Sequence, residues 1–445
     1  MDYLELIKSI DLEGLKADFA DIRIEDSSLA NVQFKDHELA EALKEDNLGV
    51  FIRIFAKGHW YSTSLYSIDK DAIMNAFHKL QDNVMSHTED SKPFWELSKP
   101  HESSIMKFGD LRHKHSSKDI IDLIRPYDQI IKEHKNIRRP RTALRSDYSA
   151  VYYGNSRGVF TSYDHAMNLF YITFSITDNT KQTRNHFLKS DIHVSELRGL
   201  EKDIANEIES GISFLNAEAI KPGMYPVIMA PRAAGMFAHE IFGHLSEADF
   251  VNSNEEWNIG NSIAIPEVSI VDNGLLENSR GYTPFDDEGT PGSKTYLVKN
   301  GVINNHLHSL QSACTFNEEP TGNARASSAE YEPLIRMTTT YFDKGKASVT
   351  DLLSGIEEGV LVKNNKYGGG GFVLAPHRCY MIRKGEISEP VNVNLIQGDT
   401  LETMKNITGV SNDMELSSSG CAKYNHPIGV GVGGPHIRIS QLELS

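Results

Sequence analysis

The sequence predicts an α+β protein in three parts: an N-terminal α/β unit, a central helix-plus-hairpin unit and a β-rich C-terminal domain. Three observations carry this. The chain has 445 residues, too many for one ordinary hydrophobic core. Period-two apolar alternation and helical segments are interspersed through its first half. After Pro222-Gly223 the glycine density rises and the chain breaks into many short strands and loops.

The elements follow in order. Ile22 and Ile24, then Val50, Ile52 and Ile54, alternate as in half-buried strands, while residues 37–44 and 70–80 predict helices. This first unit spans residues 1–84. Residues 85–117 are polar, with Pro93, Pro100 and repeated Ser and His, and predict a linker. The central unit, 118–221, opens with a helix over 118–134 and continues into a long hairpin, 143–153 and 159–176. Its turn is Gly154-Asn155-Ser156-Arg157-Gly158, where Gly and Asn supply positive φ. A helix over 194–216 closes that unit. Residues 222–445 form the third domain, and the motifs with chemistry lie there.

Composition narrows the function. Hydrophobic residues make up 39% and charged residues 24%, a globular balance. With 45 Lys and Arg against 61 Asp and Glu the formal charge is −16, which opposes binding to a phosphate backbone. The one basic stretch, Lys114 to Arg145, is interleaved with acids, so no nucleic-acid partner is expected. The three cysteines, Cys314, Cys379 and Cys421, are odd in number and widely spaced, which implies no disulfide framework and a reducing compartment. Met1 to Asp18 is charged throughout and lacks a signal core, and no apolar run approaches the ~20 residues that span a bilayer. A cytoplasmic protein with no membrane partner is the expectation.

The segment from Pro231 to Asp249 contains His239, Glu240, His244, Glu247 and Asp249. Pro231 suits a first helical turn, and the near-continuous apolar residues to Phe242 predict a buried helix. Burying polar groups without partners costs roughly 1–3 kcal/mol each, so two histidines and a glutamate there need partners, and a metal ion serves. The spacing imposes a condition. Histidines five apart lie about 140° around a regular α-helix and point away from each other. A π-bulge near Gly243, or the end of the helix there, absorbs the extra residue. The alternative is a pair of hydrogen-bonded core histidines with Glu240 in a salt bridge.

The wider sequence adds a resemblance. His239-Glu-Ile-Phe-Gly-His244-Leu-Ser-Glu-Ala-Asp-Phe250 resembles the H-E-x-x-x-H segment of TldD-type subunits in the TldD/PmbA family. Further stretches match in order: Asp286 to Gly292, Pro320 to Arg325, Arg336-Met-Thr338, Gly368 to Gly371, Ser419-Gly-Cys421, and Gly429 to Pro435. Asn155-Ser-Arg-Gly158 and Leu48-Gly-Val50 extend the likeness to the central and N-terminal parts. The resemblance implies a zinc metallopeptidase acting on short or unfolded peptides. Its site would lie within a cavity formed by two subunits: a hetero-dimer with a motif-lacking TldE/PmbA-type paralogue, or a homodimer.

The resemblance also implies the roles. His239, His244 and Cys421 hold Zn2+ and leave a fourth position for water, as catalytic zinc sites do. Glu240 is the general base on that water. Glu247 and Asp249 are alternative third ligands, or acceptors that orient the histidines, or plain solvated acids. Asp286, Asp287 and Glu288 form an acidic loop that either approaches substrate or is simply a turn. Cys314 and Cys379 read as small buried residues. His306, His308, His377, His426 and His436 have no ligand-like spacing and read as structural. The glycine runs lack the features of a phosphate loop, and suit a substrate backbone lying close as an added strand. A competing reading makes the chain a non-catalytic peptide-binding or scaffold subunit, which the intact His239-Glu240-His244 set argues against.

Overall fold

The computed structural model describes residues 2–84, 93–99, 115–251, 255–369 and 372–445, and the architecture is α+β. Most of the expected 85–117 linker lies outside the described residues, as do Gly370 and Gly371. Among the described residues no helix is long and apolar enough to cross a membrane.

The first half is organised on one six-stranded sheet. Its strands are β1 (Phe19–Lys35), β2 (Glu38–Ala56), β3 (His59–Leu65), β4 (Ile137–Asn155), β5 (Phe160–Thr177) and β6 (Gln182–Asp191), in the order β3-β2-β1-β4-β5-β6. The alternation that predicted strands sets the register, with Ile22 opposite Ile52 and Ile24 opposite Val50. These residues face α1 (Tyr3–Lys8) and α2 (Lys70–Asp82), where Ile7, Ile73, Phe77 and Leu80 complete a core. The far ends of the same long strands supply Val32, Phe34, Leu144 and Phe170 to a second core. That core lies under α3 (Ser117–Lys132) and α4 (Glu201–Phe214). One sheet thus serves two helical layers.

Three local expectations are corrected. Residues 37–44, expected as a helix, belong to a turn and to β2. Asp36 and His37 take φ of 51° and 71°, and Leu39 to Ala42 then pair with Phe34 to Val32. Helix-favouring Leu, Ala, Glu and Lys are overridden by the cross-strand ladder. In the central turn only Gly158 has positive φ. Asn155 acts instead through its side chain, accepting the N–H groups of Arg157 and Val159. The expected helix 194–216 breaks at Gly199, φ 74°, into a 3₁₀ turn, Val194–Leu197, and α4.

The C-terminal part contains a second six-stranded sheet and an eight-stranded sheet. Between them runs α5 (Pro231–Phe237), whose Ala233, Ala234 and Phe237 are buried with Val227, Phe342 and Val362. The helix crosses the strand His426–Gly434 at backbone contact. A Cβ on Gly235 would lie 2.1 Å from the Gly433 nitrogen, so the approach needs glycine at 235. Among the described residues the strand Glu415–Lys423 is an edge strand of the second six-stranded sheet, paired on one side with His426–Gly434 and touching β6 through Ser418 and Ser190.

Candidate metal centre

The helix that starts at Pro231 does not remain regular. It becomes a π-helix over Ala238–Gly243 and tightens into a 3₁₀ turn over His244–Ser246. The His244 N–H donates to the His239 carbonyl, an i→i+5 bond between the two histidines. Their rings come to 5.0 Å between centroids. Gly243 permits this, because a Cβ there would meet Met337 Sδ at 2.0 Å.

Cys421 arrives from 177 residues away on the edge strand, with Sγ 3.4 Å from His244 Nε2. One ligand atom from each of His239, His244 and Cys421 lies within 4.8 Å of the other two. His239 is 1% exposed, and among the described residues neither of its ring nitrogens has a hydrogen-bond partner. Two unpaired nitrogens in a closed pocket are unfavourable unless another group binds one of them. Two imidazoles and a thiol are the donor set zinc favours, so these residues fit that ion.

The electrostatics suit this donor set at His239, while His244 must release a proton before it can serve as a ligand. Burial pushes His239 well below the ordinary histidine range, with the charges of His244 and Arg336 adding to it, so it stays a neutral imidazole. Burial also opposes charge on His244, but the Cys421 sulfur and Glu247 outweigh it and hold it up at about 10. Burial raises Cys421, yet His244 and Arg336 bring the thiol below its usual value. Glu240, partly buried beside the trio, is raised by desolvation and lowered by His244.

Around the trio lies a buried network. Glu247 Oε2 is 3.3 Å from His244 Nδ1 and accepts from Lys423 Nζ at 2.8 Å. Lys423 also donates to Asp249 at 2.8 Å and to the Ile335 carbonyl at 3.0 Å. Glu247 is thus an acceptor that orients His244, and Asp249 neutralises the lysine. Arg336, wholly buried, donates to the Cys421 and His426 carbonyls at 2.9 and 2.8 Å, fixing the hairpin that presents the sulfur. Lys423 and Arg336 carried no assigned role in the sequence. Lys423 stands two residues from Cys421, which on a strand means the same face, and that period was the available signal.

The acidic loop lies elsewhere. Glu288 pairs with Arg53 at 2.9 Å and accepts the Leu310 N–H, while Asp286 accepts the N–H groups of Glu288, Thr290 and Ala324. It is a turn that locks the C-terminal part to the first sheet. Cys379 is buried and Cys314 half-buried. A cleft of about 600 Å³ opens between Glu25 and Ser149 of the first sheet and Cys421 and Gly429, with Arg280 and Arg325 in its wall.

An α+β chain that gathers two imidazoles and a thiol, with Cys421 lining a cleft and Glu240 next to His239 in the chain, has the make-up of a metallopeptidase-type protein. The family model described as the PmbA/TldA metallopeptidase C-terminal domain matches residues 222–445, and PmbA/TldA metallopeptidase domain 1 matches residues 20–82. The chain belongs to the PmbA/TldD family. It is 36% identical over 256 residues to a metalloprotease of Synechocystis, covering 56% of this chain and 55% of that one. The match therefore spans about half the length of that relative. A zinc metalloprotease TldD homolog of Saccharolobus solfataricus is 26% identical over 440 residues, 97% of each chain. Among solved structures, TldE from Thermococcus kodakarensis has the same fold, with a TM-score of 0.79 at 17% identity over 99% of each chain.

Proposed function

We propose that this chain is the catalytic subunit of a zinc-dependent peptidase that hydrolyses short or unfolded peptides. The reading rests on one observation: His239, His244 and Cys421 bring their ligand atoms within 4.8 Å of one another, with Glu240 following His239 in the chain. These three residues would hold zinc. When bound, it supplies Lewis acidity to the scissile carbonyl and to the attacking water.

The protein's own residues do the rest. The Glu240 carboxylate accepts a proton from the attacking water and delivers it to the departing amine nitrogen. Glu247, anchored by Lys423, holds the His244 ring in one orientation. The edge strand Glu415–Lys423, on its Cys421 end, suits a peptide added as a strand, which binds through backbone groups and gives weak sequence selectivity. Gly420 and Gly429 keep that side of the cleft narrow in side chains.

The relatives' names support the metalloprotease class, and the TldE likeness supports pairing with a motif-lacking paralogue of the same fold. Three dispersed cysteines, an odd number, suit a reducing, cytoplasmic setting. The test is metal analysis of the purified chain together with hydrolysis of short peptides, alone and with its co-purifying partner. Stoichiometric zinc with chelator-sensitive hydrolysis is expected. Hydrolysis that survives complete zinc removal overturns the reading.

A further inference from the structure

The segment His306-Leu307-His308 runs beside the chain that follows His244. Leu307 donates to the Ser246 carbonyl at 2.7 Å and accepts the Ala248 N–H at 3.0 Å. In extended backbone the two flanking histidines share a face. That face meets Glu318, which is set by the end of the helix Leu310–Phe316, where Asn317 takes φ 58° and the Glu318 N–H closes onto the Ala313 carbonyl.

His306 Nδ1 lies 3.0 Å from Glu318 Oε1 and 3.2 Å from Oε2, and His308 Nε2 lies 2.9 Å from Oε2. His306 is 6% and His308 1% exposed. The far nitrogens are anchored too. His306 Nε2 is 3.2 Å from the Trp257 carbonyl and His308 Nδ1 is 3.0 Å from Ser312 Oγ. A carbonyl only accepts, so His306 Nε2 carries a hydrogen. In neutral His306 the Nδ1 lone pair then points at carboxylate lone pairs, an arrangement that needs a positive charge between them.

We propose that His306, His308 and Glu318 form a second divalent-cation site, of the zinc class, that holds the segment behind the first centre in place. Three features accommodate a metal ion in place of a shared proton. One ligand atom from each residue lies within 4.8 Å of the others. The 2.9–3.2 Å separations are close to the ~3.3 Å edge of a tetrahedron with zinc–ligand bonds of about 2.0–2.1 Å. Each imidazole is oriented through its other nitrogen, as metal-bound histidines are. Glu318 is partly exposed, which leaves a solvent side for a water ligand.

The site is independent of the peptidase reading, and the test separates the two. Apoprotein of the full chain is titrated with zinc and, separately, with cobalt(II). Two equivalents per chain are expected, and only one class of cobalt should show thiolate charge transfer, from Cys421. His308→Gln and Glu318→Gln should each reduce binding from two equivalents to one while keeping the thiolate band. Cys421→Ser should remove the other equivalent. One equivalent in the wild type, with the thiolate band at full intensity, overturns the second site and leaves the first standing. Two equivalents that both survive His308→Gln and Glu318→Gln overturn it as well. A single equivalent lost only in those two variants supports the second site and sinks the first. The wild-type cobalt spectrum decides the matter even where a variant folds poorly.

Discussion

The backbone N–H of His244 is bonded to the carbonyl of His239, five residues before it, and this single wide turn puts both imidazoles on one side of the helix. In a regular helix the two would diverge by about 140°. The distortion is held from outside by Met337, whose sulfur occupies the space a side chain at position 243 would take.

Gly243→Ala should therefore destabilise the protein by about 1–3 kcal/mol through overpacking. Met337→Ala in the same chain should recover part of that loss, since it removes the colliding sulfur. Urea unfolding of the two single variants and the double variant measures the coupling. Additive losses would show that Met337 does not hold the turn.

Glu240→Gln should retain zinc and lose peptide hydrolysis by roughly 10²–10⁴-fold, because an amide does not accept the water's proton. Parallel metal analysis and peptide assays check this. Near-normal turnover would remove Glu240 from the mechanism.

Cys421→Ser should lower zinc content and activity together, since a neutral hydroxyl is a far poorer zinc ligand than a thiolate. Cys379→Ser should change neither, because Cys379 packs in the apolar core with Val362, Met381 and Val391. The comparison is made by zinc titration of both variants. Unchanged zinc affinity in Cys421→Ser would send the search for a third ligand to other residues.

Lys423→Met removes the cation shared by Glu247 and Asp249, whose lysine side chain is 2% exposed and whose Glu247 partner is fully buried. Breaking a buried pair from one side costs about 3–5 kcal/mol. Loss of the group that anchors Glu247 should also weaken zinc binding by about 10–100-fold. Denaturant midpoints and zinc competition measure the two effects separately. Stability that stays within error of the wild type would mean Glu247 is held by other means.

Chelation should inactivate the enzyme reversibly and lower its thermal midpoint, because an ion bound only by the folded state stabilises it by mass action. The contribution is about 2.7 kcal/mol when free zinc is 100 times its dissociation constant. Calorimetry with and without chelator, followed by zinc re-addition, reads this directly. A midpoint insensitive to chelator would rule out a bound structural or catalytic ion.

Much of the fold was legible because it is local. The alternation at Ile22, Ile24, Val50, Ile52 and Ile54 reads directly as strand register, and Lys70 to Leu80 reads as the helix that covers it. Residues 38–44 misled because their helical propensity is real but weak. Of residues 38–44 five are exposed, and such a stretch follows whichever ladder a neighbouring strand offers; β1 offers one. The meeting of His306 and His308 with Glu318 was not legible, because Glu318 reaches them only through the αL turn at Asn317, which no spacing rule announces.

The sequence by itself determined the α+β make-up and the requirement that the helix between His239 and His244 depart from regular geometry. Both follow from periodicity, which is a property of neighbouring residues. Only the tertiary structure decided that the Cys421 sulfur meets His244, that Lys423 joins Glu247 to Asp249, and that Met337 backs Gly243. Those partners are separated by 94 to 177 residues, so their meeting depends on how sheets and helix pack rather than on any local pattern.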